Sequence, residues 1–472
     1  MDRKQDFKNF FIVVFSNLLT IVVSLFMGFF LPKLMTVEDY AYYRVYCLYV
    51  SYAGFFHLGF INGIYLKYGE YDFEQLPKSL FRNYHKFMLI LQMLTILILS
   101  LCLFIMHNGL TTGNIIAFIF IIINIPLVNI KCYFSTINQF TKRFIIDSYL
   151  TFLQTLLNVL IVISVVVFHL YDFKTLLILV TINNFACMAL SAYQNKEIIL
   201  GTSSIFKFSE VKPIITSGFF LMISDFVGVI ILGIDSIFVQ NLFTLSDFAV
   251  YSFAVSVIST IYSLIATVSN LVYPYLARVD NGKYAEYYCL LSDIISIISG
   301  LSFLGFYVVK FLIENWISKY EASISIISIL FGTILFRSII VLVCGNYFKV
   351  LKMIKDYTTN MGFAILLTFI LDVLAYIIFK DFHYIAIASL LSFIIWYFVT
   401  DYLFIKRLKI NFQNWLKRYS FILLTMIAFY LLELLPTFTA FILYFIIEIT
   451  LITFLYRDEA KFIFSKIFKK NI

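Results

Sequence analysis

Arg337 is the residue whose place is hardest to explain by packing. It is the one charge between Ala322 and Phe348, a run of 27 residues. A charge in the middle of an apolar span costs roughly 2.5–3.5 kcal/mol on insertion scales and turns toward a polar interior. A guanidinium can donate two parallel hydrogen bonds to a phosphate, so Arg337 is a candidate cation on a substrate path. The competing reading is a buried ion pair with a membrane aspartate. Arg44 and Lys131 are further candidate path cations. Arg44 has Glu38 and Asp39 close in sequence as partners, and Lys131 lies where a lysine can snorkel to the surface. His57, deeper in the same run as Arg44, reads as a neutral, satisfied histidine between helices.

Carboxylates form the second group. Asp225 falls near the middle of one apolar run, and Asp235 follows ten residues later. Ten residues of α-helix leave two side chains roughly 80° apart, so both can border one cavity. Asp372 is the one charge in Tyr357–Phe379. A membrane carboxylate can bind Na+ or a proton and couple transport to an ion gradient, or it can pair with Arg337. Apart from such a coupling ion, no cofactor is expected. Five histidines and six cysteines show no ligand-like clustering, and the cysteines read as small apolar packing residues. No metal site follows from them.

These residues sit in an unusually apolar chain. Hydrophobic types make up 62% of it, charged types 13%, and mean hydropathy is +0.95. That balance excludes a soluble globular domain. A bilayer crossing takes about 20 apolar residues. The hydropathy pattern predicts an all-α integral membrane protein with about fourteen spans: 9–31, 43–65, 86–106, 114–136, 148–169, 175–194, 214–238, 248–272, 288–309, 323–348, 357–379, 382–405, 418–434 and 437–456. The first is too long for a signal-peptide core and lacks a small-residue cleavage site, so it is expected to be retained.

Of the 35 lysines and arginines, 28 fall on segments that are inside if the N-terminus is inside, and six fall outside. This predicts cytoplasmic N- and C-termini. It also explains the net charge of +8 by loops near anionic headgroups, with no need for nucleic acid.

A phrase recurs at an offset of 208. Leu34, Thr36, Asp39, Ala41 and Tyr43 match Leu242, Thr244, Asp247, Ala249 and Tyr251, and similarity extends from Ser16/Ser224 to Ser51/Ser259. Asn17 is thereby the counterpart of Asp225. Six spans separate the copies, so the chain is expected to hold two six-helix bundles in a parallel repeat, 1–204 and 205–410. Residues 411–472 are expected to add a helical hairpin and a basic tail. Gly59 and Gly63 have the GxxxG spacing that permits close helix approach, and Pro126 is expected to kink its span. The 55 Phe and 33 Tyr read as lipid-facing or interfacial, with no carbohydrate-stacking platform among them.

Several segments in order resemble the polysaccharide-exporter branch of the multidrug/oligosaccharidyl-lipid/polysaccharide superfamily, the Wzx-type O-antigen flippases. They are Leu31–Tyr43, Gly54–Gly63, Gly233–Phe243, Leu271–Arg278 and Phe311–Tyr320. The chain departs from the family pattern at Met35-Thr36, where leucine–glycine is usual, and at Asp372, where asparagine is common. The resemblance implies a flippase in the bacterial cytoplasmic membrane. It would move an undecaprenyl-pyrophosphate-linked oligosaccharide repeat unit by alternating access, for O-antigen, capsule or other surface polysaccharide. It also implies contact with membrane lipids, and with a polymerase and other assembly proteins. A cation-coupled multidrug or small-metabolite antiporter on the same fold is the alternative. An enzyme is not expected: no loop is long enough for a catalytic domain, and there is no Walker motif and no triad-like arrangement.

Overall fold

The computed structural model describes residues 19–20, 22–203, 205, 208–276 and 279–456, except for the side chains of residues 224, 225, 227, 228, 232, 267, 270, 271, 273–275, 281 and 354. Asn17 and the basic tail lie outside the described residues, and so does the side chain of Asp225. Every regular element among the described residues is helical. Eleven helices are long and apolar enough to cross a membrane, or twelve if one bent pair counts as a span. The chain is therefore a multi-pass membrane protein. The remaining expected spans overlap α1 (Val22–Leu34) and α8 (Phe208–Leu242), which border or contain undescribed residues.

The helices gather into two compact units, Met1–Gly233 and Ile234–Ile472, with the boundary inside α8. The first unit contains α2 (Val37–Val50), α3 (Phe60–Tyr68), α4 (Lys78–Met106), α5 (Thr112–Phe140), α6 (Phe144–Val167) and α7 (Phe173–Gln194). The α2–α3 pair bends by 54°. The bend has a local cause: Leu58 (φ 51°) and Gly59 (φ 77°) are both left-handed, which stops one helix and restarts another. GxxxG packing follows directly. A Cβ on Gly63 would run into the Ile214 carbonyl, and one on Gly59 into the backbone at Gly218–Phe219. The two glycines, with Gly218 opposite, let α3 and α8 meet backbone to backbone. Pro126 is accommodated inside α5, which runs through it as one helix.

The second unit contains α9 (Leu245–Leu276), α10 (Tyr284–Ser302), α11 (Leu304–Trp316), α12 (Ser323–Ile339), α13 (Gly345–Val350), α14 (Ile354–Phe379) and α15 (Phe382–Leu408). A hairpin of α16 (Phe412–Leu432) and α17 (Thr437–Leu455) follows. The span 323–350 is almost wholly buried within its unit, mainly against α9, α10 and α15. Its middle is a π-helical turn, Ile340–Cys344. Such turns insert a residue and disturb the backbone ladder, here leaving the Val341 carbonyl to accept from Ser269 Oγ at 3.0 Å.

The repeated phrase folds the same way twice. Thr36 Oγ1 accepts from the Asp39 N–H at 3.0 Å and donates to the Asp39 carboxylate, starting α2. Thr244 Oγ1 accepts from the Asp247 N–H at 3.2 Å and donates to its carboxylate at 2.7 Å, starting α9. A Thr side chain at this position satisfies amide groups that the first helical turn leaves open. Ala41 and Ala249, the next matched pair, are both fully buried.

Candidate functional site

In the second unit Arg337 projects from the central span. Its guanidinium carbon stands 4.1 Å from the centre of the Tyr262 ring on α9 and 5.9 Å from that of Phe393 on α15. Tyr262 is itself fixed by a hydrogen bond to Thr333, one helical turn before Arg337. Among the described residues no carboxylate lies within salt-bridge distance of Arg337, and its Nε has no partner. The cation is held by aromatic faces, an interaction that strengthens out of water and leaves the N–H donors free.

Two of the expected carboxylates meet in the same unit. Asp235 accepts from its neighbour's backbone, Ser236 N–H, at 2.8 Å, from Tyr251 Oη at 2.7 Å and from Ser389 Oγ at 3.1 Å. Asp372 on α14 is fully buried, and neither of its carboxyl oxygens has a hydrogen-bond partner. It is near enough for its charge to act on both Asp235 and Tyr251. A buried carboxylate with no donor is costly, and a proton or a bound cation would relieve that cost. Neither aspartate pairs with Arg337.

The first unit offers different chemistry. Lys131 donates to Gln154 of α6, not to a carboxylate. Gln154 continues to Asn184 at 3.4 Å, and Asn184 to Asn124 Oδ1 at 2.8 Å and to Tyr46 Oη at 3.4 Å. Asn124 donates in turn to Thr181 at 2.8 Å. Arg44 is half-buried beside Tyr40, Tyr43 and Cys47, and its Nε is unpartnered. The expected pairing of Arg44 with Glu38 or Asp39 is not formed. Asp39 is taken by Thr36 and by the Phe173 N–H at 3.2 Å, and Glu38 accepts from Tyr42 at 3.2 Å.

Between α3, α5 and the first half of α8 lies a cavity of about 560 Å3. His57 lines it. Its Nδ1 accepts from the Gly59 N–H at 3.2 Å, so the neutral ring carries its hydrogen on Nε2. Lys131 is not among the lining residues.

Sequence reading missed a second charged cluster. Arg418, counted with an inside loop, is 1% exposed and bonds both oxygens of Asp401 at 2.9 Å, with Asp293 at 4.0 Å. Tyr288 and Tyr419 also donate to Asp401, at 2.6 and 2.7 Å. This cluster ties α16 to α10 and α15. Glu448 of α17 is likewise fully buried, beside Gly300 and bonded by Thr425 at 3.1 Å. Arg418 stands in the first turns of α16 just after Lys417, so it reads as one more surface cation, whereas Glu448 is the one charge in Thr437–Leu455 and its place mid-helix was a signal passed over.

No protein-family description matches the chain, and no curated protein does. Solved structures do. The lipid II flippase MurJ, in an inward closed conformation, superposes with a TM-score of 0.69 at 15% identity, over 94% of this chain and 99% of MurJ. Weaker likenesses are a Vibrio cholerae MATE transporter, VcmN (TM-score 0.44, 11% identity, 87% and 98% of the two chains), and the MATE transporter ClbM with Rb+ (0.41, 9%, 84% and 92%). At these identities likeness speaks for the fold alone, and the chain has the fold of the lipid II flippase MurJ.

Proposed function

We propose that this protein is a flippase for a lipid-linked oligosaccharide, carried on an undecaprenyl pyrophosphate and moved from the cytoplasmic to the outer leaflet by alternating access. The observation that carries the reading is Arg337: a cation on the most enclosed span, gripped by rings and unpaired with any described carboxylate. A structural arginine at this depth would need an acidic partner, because an unpaired buried charge is strongly destabilising. A substrate-facing one needs free donors, and a pyrophosphate is the ligand that a planar fork suits best. The MurJ fold supports a lipid-linked substrate, and the Wzx-like segments support a polysaccharide repeat unit over other cargo. The parallel two-bundle repeat is supported by the matching Thr caps at Thr36 and Thr244. Placement in the bacterial inner membrane with both termini cytoplasmic rests on the 28-to-6 basic asymmetry.

Asp372 and Asp235 are the pair we assign to ion coupling, by Na+ or a proton. The same pair is what favours the second reading, a cation-coupled antiporter for small molecules. The two readings part in a deletion strain with no redundant exporter. A flippase predicts lipid-linked repeat units accumulating on the cytoplasmic leaflet and loss of surface polysaccharide. Normal surface polysaccharide in that strain contradicts it.

A further inference from the structure

The cavity of the first unit has a lining that no part of the pyrophosphate chemistry explains. No described lining residue is charged. Its polar groups are the amides of Asn62, Asn129 and Gln139, the Thr136 hydroxyl and His57 Nε2. Asn129 and Gln139 spend both amide hydrogens on neighbouring groups and offer their oxygens as acceptors, while His57 Nε2–H and the Thr136 hydroxyl can donate, a mixed set that suits hydroxyl-rich neutral ligands. His57 is 4% exposed, and its Nε2–H has no hydrogen-bond partner among the described residues while its other nitrogen is fixed by Gly59. Two rings, Tyr65 and Phe226, stand among these polar groups. A pyranose has an apolar C–H face that packs on such rings while its hydroxyls bond around the edge. Phe226 reaches the cavity because residue 54 is glycine: a Cβ there would collide with its ring. The volume, about 560 Å3, falls within the about 300–1,000 Å3 of small-ligand sites.

The charged groups nearby set the sign of selection. Gln139 donates to the carboxylate of Asp147 at 3.0 Å, and Ser135 donates to it at 2.5 Å, so an anion stands just behind the lining. Lys131, one residue before Cys132, turns to Gln154 of α6 instead. An acidic sugar in this cavity would lose its hydration, meet no cation among the lining residues and stand near the Asp147 carboxylate.

Building on the flippase reading above, we propose that this cavity receives the glycan of the lipid-linked substrate, and that it selects uncharged sugars, hexoses and N-acetylhexosamines, against uronic or phosphorylated ones.

Cys132 provides the readout, since it is exposed and lines the cavity. Full-length protein keeping Cys132 as its single cysteine is placed in proteoliposomes. Alkylation by N-ethylmaleimide is timed with three probes: sugar-free undecaprenyl pyrophosphate, the same lipid bearing a neutral N-acetylhexosamine–hexose, and the same with the hexose replaced by a hexuronic acid. The neutral glycolipid should slow alkylation about ten-fold relative to the sugar-free lipid, whereas the acidic one should not. In flipping assays Thr136→Lys should raise the acidic-to-neutral rate ratio about ten-fold. If that variant fails to accumulate, Cys132→Lys replaces it in the flipping assay. Equal protection by both glycolipids, or an unchanged ratio in the lysine variant, overturns the selection while leaving flipping intact. Failure of all three lipids to protect or to be flipped overturns the flippase reading, and the assignment of the cavity falls with it.

Discussion

Thr36 and Thr244 cap α2 and α9 with the same Thr-to-Asp contact, yet the polar groups behind those two helices are of opposite kinds. Behind α2 runs a chain of neutral amides, Gln154, Asn184 and Asn124, ending on Tyr46 and on the ammonium of Lys131. Behind α9 lie carboxylates, Asp235 and Asp372, with Tyr251 and Ser389 as donors and Arg337 caged by Tyr262. The difference teaches that a duplicated scaffold fixes where helices begin and pack, and leaves interior side chains to diverge. Amides can satisfy one another without a net charge and keep a polar interior at low cost. A carboxylate without a partner, as at Asp372, cannot, so its retention points to a ligand or a proton.

The largest expected effect breaks the comparison at its least symmetric part, the hairpin that only the second unit carries. Arg418→Ala leaves Asp401 buried with its bidentate partner gone, and should cost about 3–5 kcal/mol. The amount of folded protein in detergent should fall sharply. Adding Asp401→Leu should restore much of it, since no orphaned charge remains. Full recovery of neither folding nor yield in the double variant would mean that the cluster does more than hold α16.

The smallest expected effect sharpens the comparison at its most symmetric part. Thr36→Ala and Thr244→Ala each remove one cap, so each should lower stability by about 1 kcal/mol, and by similar amounts. Thermal unfolding in detergent measures both. A Thr36 variant much worse than its mate would show that the Asp39 contact with Phe173, which Asp247 lacks among the described hydrogen bonds, matters more than the cap.

Legibility in the sequence followed the same division. Spans were readable because continuous apolar runs leave few alternatives, and the glycine contact between α3 and α8 was readable from the Gly59/Gly63 spacing. Arg337 announced itself as a lone charge in 27 residues. Arg418 did not, because it follows Lys406, Arg407, Lys409 and Lys417 and looks like one more surface cation. The amide network was also silent: single Asn and Gln residues barely lower the hydropathy of a span. The bend at Leu58 gave no signal either, since a leucine in the left-handed region is set by packing rather than by its own preference. Tyr65 and Phe226 were indistinguishable from the many lipid-facing rings until the fold brought them to one cavity.

The most direct test of the whole is export measured beside protein level in Arg337→Ala and Arg337→Lys. A cation that grips substrate predicts an alanine variant that accumulates normally and does not export. The lysine variant should export partly, because the charge survives and the two-pronged geometry does not. Wild-type export from a well-accumulated Arg337→Ala protein would contradict the role assigned to this residue.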